Sequence, residues 1–255
     1  MPARHLGGNE TFPAPDDLLD ACEAKLRTGD GFAIATLNLD HVVKLKRDQA
    51  FRDAYNSHSH VTADGHPIVW IERIAGRTVH RVTGADLVLP LAVRAARVSV
   101  PIALLGSTEA SLAAAARFLK ARIPTLEISL VSAPPMEFDP GATEAERLIE
   151  TIRDSGARLC FIALGAPKQE MFAARAFDAL PQVGFASVGA GLDFLSGTQM
   201  RAPDWVQTIA AEWLWRLASN PRRLASRYGA CTVVLPGLLF KATLARMTST
   251  RERTG

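Results

Sequence analysis

Short apolar runs alternate with amphipathic segments along most of this chain. The runs at 32–37 (FAIATL), 100–106 (VPIALLG), 126–132 (LEISLVS), 158–165 (RLCFIALG) and 183–189 (VGFASVG) are bounded by Gly, Pro or polar residues. Uninterrupted apolar stretches of this length read as parallel strands buried on both faces. Between them, residues 40–56, 109–123, 143–156 and 168–180 carry helical spacing of apolar positions. The alternation predicts an α/β fold, Rossmann-like, with a mostly parallel sheet and helices on both faces. The segment 132–143 (SAPPMEFDPGAT) is the clearest internal loop.

The pattern changes after residue 200. Residues 201–221 (RAPDWVQTIAAEWLWRLASNP) predict a helix with Pro203 at its start, Pro221 just past its end, and Val206, Ile209, Ala210, Trp213 and Leu217 on one face. A short apolar stretch flanked by arginines follows; interrupted by Pro236, it reads as too short to span a bilayer and suited to an interfacial position. An equal alternative is that it packs on the main domain or on an adjacent subunit. We therefore divide the chain into a core over 1–200 and a helical, basic C-terminal appendage over 201–255.

Charge sharpens that division. The formal net charge is +3, but residues 201–255 hold nine Lys/Arg against three acidic residues, a net +6 that leaves −3 for the rest. Three of the four tryptophans, Trp205, Trp213 and Trp215, lie in the same appendage. The combination predicts an anionic surface as partner. No nucleic-acid-binding module accompanies it, so no nucleic-acid partner is expected. At 255 residues and 48% hydrophobic content the chain is long enough for a substantial core. Cys22, Cys160 and Cys231 stand in no metal-ligand or disulfide spacing, and the N-terminus carries no signal-peptide apolar region. A reducing, cytoplasmic setting is the expectation. The sequence His58-Ser59-His60 has no further ligands at a recognisable spacing, and exposed histidines are expected there.

In a parallel sheet, ligands gather beyond the carboxyl ends of strands. Three turns qualify by position. LLGST (104–108) reads first as a capped helix start. ALGAPKQE (163–170) reads as a strand-to-helix turn whose amides, beside Lys168, favour phosphate oxygens. SVGAGLDF (187–194) is an incomplete dinucleotide fingerprint, because Phe194 stands where the last glycine belongs. Asp64-Gly65 reads either as a solvated turn or as a strand-end carboxylate able to act as a general base.

Taken in order, ATLNLDHVV, TADGHPIVW, RVTGADL, ALGAPKQE, VGAGLDFLSGTQMRAPDWVQ and EWLWRLASNPRRLASRY resemble the motifs of the WecG/TagA/CpsF family of bacterial glycosyltransferases over roughly residues 30–228. The resemblance implies inverting transfer of a sugar from a UDP-sugar donor to a polyprenyl-diphosphate-linked saccharide at the inner face of the cytoplasmic membrane, in exopolysaccharide, capsule or other surface-polysaccharide synthesis. It implies Asp64 as catalytic base, with Thr36, Asn38, Arg81, Lys168, Gln169, Gly189 and Asp193 as substrate-binding residues. Arg222, Arg223 and Arg227 would meet lipid or acceptor phosphates. It also implies no cofactor and no essential metal, a peripheral membrane location, and an appendage that shifts the protein between oligomer and active monomer. Where the family often has Pro-Asp-Gly, this chain has Ala63-Asp64-Gly65, followed by HPIVW in place of a smaller, glycine-containing run. The alternatives from other classes are an NAD(P)-dependent oxidoreductase on the same plan and a non-catalytic lipid- or sugar-binding module.

Overall fold

The computed structural model describes residues 3–5, 9–11, 15–200, 202–203, 206, 212, 214–215 and 221–253; side chains of 3–11, 221–228 and 248–253 are outside that description. An N-terminal hairpin, β1 (Ala3–His5) and β2 (Asn9–Thr11), is followed by α1 (Pro15–Thr28), β3 (Phe32–Leu37), α2 (Leu39–Arg47), α3 (Gln49–Asn56) and β4 (His60–Ala63). Next come α4 (His66–Ile74), α5 (Gly84–Arg97), β5 (Ile102–Gly106), α6 (Glu109–Arg122), β6 (Ile128–Ser132) and α7 (Thr143–Asp154). The core closes with β7 (Leu159–Ala163), α8 (Lys168–Ala179), β8 (Gly184–Ser187) and α9 (Gly191–Leu195). A long helix, here α10, runs over Pro221–Arg253.

The strands form one sheet in the order β1-β2-β4-β3-β8-β7-β5-β6. The six strands from β3 to β8 are all parallel, and among the described residues only the β1–β2 edge hairpin is antiparallel. This is the predicted α/β architecture, and the reason is side-chain alternation: successive residues of a strand point to opposite faces. On β3, Phe32 and Ile34 join the core under α1, α5, α6 and α9, while Ala35 and Leu37 join the core under α3, α4 and α10. On β7, Cys160 and Ile162 face α7 and α8, and Leu159 and Phe161 face the opposite helices.

Several elements differ from the sequence reading. The pattern over 40–56 is two helices, because Asp48 leaves helical geometry (φ −120°, ψ 112°) and its side chain caps α3 by accepting from the Phe51 amide. Pro236 does not interrupt the appendage: α10 continues through it for 33 residues. The length estimate is corrected accordingly, since Gly229–Met247 gives 19 residues of mean hydropathy 1.4, enough by length and composition to cross a bilayer. One side of that stretch lies against α2 and α4, with Cys231 and Ala242 buried and Leu235, Leu238 and Leu239 packed on the neighbouring core, while most of it is exposed. The helix predicted over 201–221 falls largely outside the described residues.

Candidate active site

The site is built where β3 and β4 end together. Leu37 pairs with Ala63, so the next residues along, Asn38 and Asp64, leave the ends of neighbouring strands side by side. The Asp64 amide donates to the Leu37 carbonyl at 2.8 Å, which fixes the start of the turn. Gly65 follows at φ +94°, a conformation that favours glycine, and lets the chain enter α4 with Pro67 in the first turn. Asp64 is therefore half-buried at a strand end, and the fully solvated turn is not what forms. Asn38 caps α2, its Oδ1 accepting from the His41 amide at 3.0 Å. Thr36 is buried on β3 directly beside Thr62, whose hydroxyl donates to the Val82 carbonyl at 2.9 Å.

Arg81 reaches this edge through a single parallel bridge to Ala63, and its Nη1 lies 3.7 Å from Glu212 Oε2. Burial, and after it the Arg81 guanidinium, hold the His66 imidazole below its ordinary value. Asp64, His66 and Arg81 thus share one small region at the end of β4.

Across the sheet, the turns after β7 and β8 form the second half. Gln169 is buried at the start of α8; its Oε1 accepts from the Gly189 amide at 3.1 Å, and its Nε2 donates to Glu170 Oε1 at 2.8 Å. Gly189 sits at φ +54° at the end of β8. Asp193, in α9, accepts hydroxyl protons from Ser107 and from Ser111 (2.7 Å) on one oxygen and an amide proton from Gln199 (2.8 Å) on the other. It ties the turn after β5 to α9. Lys168 donates to the Met136 carbonyl at 2.8 Å, in the loop after β6.

Sequence reasoning missed four of these participants. Ser107 and His41 lie inside the LLGST and ATLNLDHVV stretches but are given no role there, and Ser111 lies in the helix just beyond LLGST. Glu170 ends the ALGAPKQE stretch and receives no role there. In the fold it is fully buried, its Oε1 3.9 Å from His41 Nε2, and burial raises its carboxyl to about 7. The periodicity of α8 carried the signal, because Phe172, Ala173 and Ala176 place Gln169 and Glu170 on the inward face. The histidines are a correction of similar kind: His58 and His60 are buried. His58 Nδ1 bonds the Ala54 carbonyl at 2.9 Å, and burial pushes both imidazoles down to about 4.

Arg222, Arg223 and Arg227 lie in the first turns of α10, with side chains outside the described set. Among the described residues, no group of three His, Cys, Asp or Glu side chains converges as a metal site would require. A cleft of about 410 Å³ opens beside the site between Asp40, Lys44, Arg47, Pro167 and Ala230, so α10 forms one of its walls. Lys44 bridges it, donating to the Ala166 carbonyl (2.9 Å) and pairing with Asp40 (2.8 Å).

Thr36, Asn38, Asp64, Arg81, Gln169, Gly189 and Asp193 come from separate stretches of sequence, and the fold gathers them at or beyond the carboxyl edge of four adjacent strands and the neighbouring β5 turn. The turns after β5 and β7 lead away in opposite directions, to β6 and to β8, which makes the crevice between them a topological switch point. The family model described as the glycosyl transferase WecG/TagA/CpsF family matches residues 11–252, nearly the whole chain, and with this α/β sheet and its assembled carboxyl edge the protein belongs to that family of glycosyltransferases.

Proposed function

We propose that this glycosyltransferase moves a sugar from a UDP-sugar to a polyprenyl-diphosphate-linked saccharide, with inversion, in surface-polysaccharide synthesis at the inner face of the cytoplasmic membrane. The observation that carries the reading is the meeting of Asp64, Asn38 and Arg81 at one strand edge, across the sheet from the Gln169–Gly189 turn.

Inversion needs one base and a stabilised leaving group. In this reading Asp64 takes the proton from the acceptor hydroxyl as its oxygen attacks the anomeric carbon. The bond to the departing UDP oxygen breaks on the opposite side, and the UDP leaves as an anion. Asn38 and Thr36 line the acceptor side of the pocket. The amides of the turns after β7 and β8, with Arg81, meet the diphosphate, and Lys168 reaches it by exchanging its Met136 contact. Arg81 shares its charge with Glu212 at 3.7 Å, so substrate phosphate competes with that carboxylate. Side chains and amides suffice in this scheme, with no metal invoked.

Support for a peripheral membrane position comes from the outer face of α10. Val233, Phe240, Leu244 and Met247 are exposed along it, Trp70 of α4 is exposed nearby, and Lys241 and Arg246 lie on the same helix. An apolar stripe with cations is what an interfacial helix presents to acyl chains and lipid phosphates. Arg222, Arg223 and Arg227, in the first turns, would then stand near the acceptor diphosphate.

Calorimetric titration with UDP, run with and without chelator and with NAD in parallel, tests the donor side. Saturable UDP binding that survives chelation, with no NAD binding, is expected. NAD binding without UDP binding would overturn the reading.

A further inference from the structure

Among the described residues Glu170 is the one carboxylate with no exposed surface, and none of the roles above uses it. Its surroundings are specific. Oε1 accepts from Gln169 Nε2 at 2.8 Å and lies 3.9 Å from His41 Nε2, while Oε2 is buried without a hydrogen bond. Gln169 passes the connection on, because the amide whose nitrogen faces Glu170 must turn its oxygen to the Gly189 N–H, 3.1 Å away. On the other side, the His41 backbone amide is held by Asn38 Oδ1 at 3.0 Å. Glu170, Gln169 and Gly189 therefore form a hydrogen-bonded brace joining the turns after β7 and β8, with His41 and its Asn38 cap packed beside it at the end of β3.

We propose that Glu170 is a positioning residue: by accepting from Gln169 it fixes which way that carboxamide faces, and so holds the Gly189 turn in the form that receives the donor diphosphate. A carboxamide has two orientations of nearly equal shape and opposite chemistry. Flipped, Gln169 would set its NH2 group against the Gly189 N–H, donor against donor, and the turn would lose its anchor. The acceptor on Glu170 is what selects between them. Burial favours the uncharged acid, which still offers Oε1 as an acceptor without placing a buried negative charge behind an anion site.

The diphosphate part rests on the donor reading above; the brace itself does not. Two variants separate the acceptor from the shape of the side chain. Glu170→Gln keeps an acceptor oxygen, and Glu170→Met keeps the length and removes it. In the ligand-free protein, amide hydrogen exchange at Gly189 should quicken at least tenfold in E170M and stay within about twofold of wild type in E170Q. The UDP Kd should rise at least tenfold in E170M and be largely restored in E170Q. Unchanged Gly189 exchange in E170M overturns the proposal, as does equal acceleration in both variants. Should E170M not fold, Glu170→Leu removes the same acceptor with a different apolar shape and is read the same way, while Gln169→Met removes the Gly189 anchor itself, so unchanged Gly189 exchange in Q169M is equally fatal. If wild type binds no UDP while the exchange pattern holds, the donor reading fails and the brace stands.

Discussion

Asp64 shows how little of a residue's role lies in its identity. An Asp-Gly pair is ordinary turn chemistry, yet here the Asp64 amide is tied to β3, the residue is half-buried, and its neighbour Ala63 bridges to Arg81. If it is the base, Asp64→Asn should lower turnover about 10²- to 10⁴-fold, with the thermal midpoint shifted by no more than a few degrees. Turnover within threefold of wild type would assign the proton to another group. Gly106 carries a backbone constraint instead. It sits at φ +101°, and a Cβ there would lie 2.5 Å from the Ala163 carbonyl carbon. Gly106→Ala should therefore cost about 2–4 kcal/mol of stability, measurable by urea denaturation. The residues of the candidate site could be named one by one through the family motifs. Glu170 could be placed only by following the inward face of α8 marked by Phe172, Ala173 and Ala176, and its partners across the sheet are visible only in the fold.

At the scale of elements, the five long apolar runs all became strands, since burial on both faces leaves an unmistakable pattern. The four-residue β4, HVTA, escaped that test although it carries Asp64 at its end: it is short, and its first residue, His60, reads as polar. Helix α5 hid behind an internal proline, Pro90, which the fold accommodates in a helix secured by the Thr83–Asp86 capping box. Pro236 hid the length of α10 in the same way. The exposed face of α10 yields a prediction independent of folding. Val233 is 81% exposed and Phe240 65%, so the double variant V233E/F240E should leave the thermal midpoint nearly unchanged. Its affinity for anionic vesicles should fall at least tenfold. Removal of the appendage after Ser219 should lower both vesicle binding and activity on lipid-linked acceptors. Vesicle binding untouched by the double variant would assign the stripe to a protein partner.

For the whole molecule, the buried titratable groups set how stability answers to pH. His58 and His60 have folded values near 4, below the ordinary 6.5, so their contribution is complete above pH 6.5 and is lost as pH falls toward 4. Glu170 works the other way. Its folded value near 7 lies above the ordinary 4.5, so its contribution is complete below pH 4.5 and is lost as pH rises through 7. Between pH 4.5 and 6.5 the two histidines outweigh the one acid by about one proton, and these three groups together should make stability fall on acidification by about 1.4 kcal/mol per pH unit. Denaturant melts of wild type and E170Q at pH 5 and 6.5 check the assignment: removing the opposing acid should steepen the fall. Equal slopes would remove Glu170 from the balance.

The fold class and the family were readable before the structure, because they follow from strand periodicity and long linked motifs. How the site is braced, and where α10 rests, depended on contacts between distant segments that no local pattern encodes. The most direct test of the account is UDP release from a panel of UDP-sugars with a polyprenyl-diphosphate-linked acceptor in anionic vesicles, comparing wild type with Asp64→Asn. The account predicts acceptor-dependent release by wild type for at least one donor, with product carrying the inverted linkage, and release reduced at least 100-fold in the folded variant. Acceptor-dependent release by D64N at the wild-type rate, or a product of retained configuration, would contradict it.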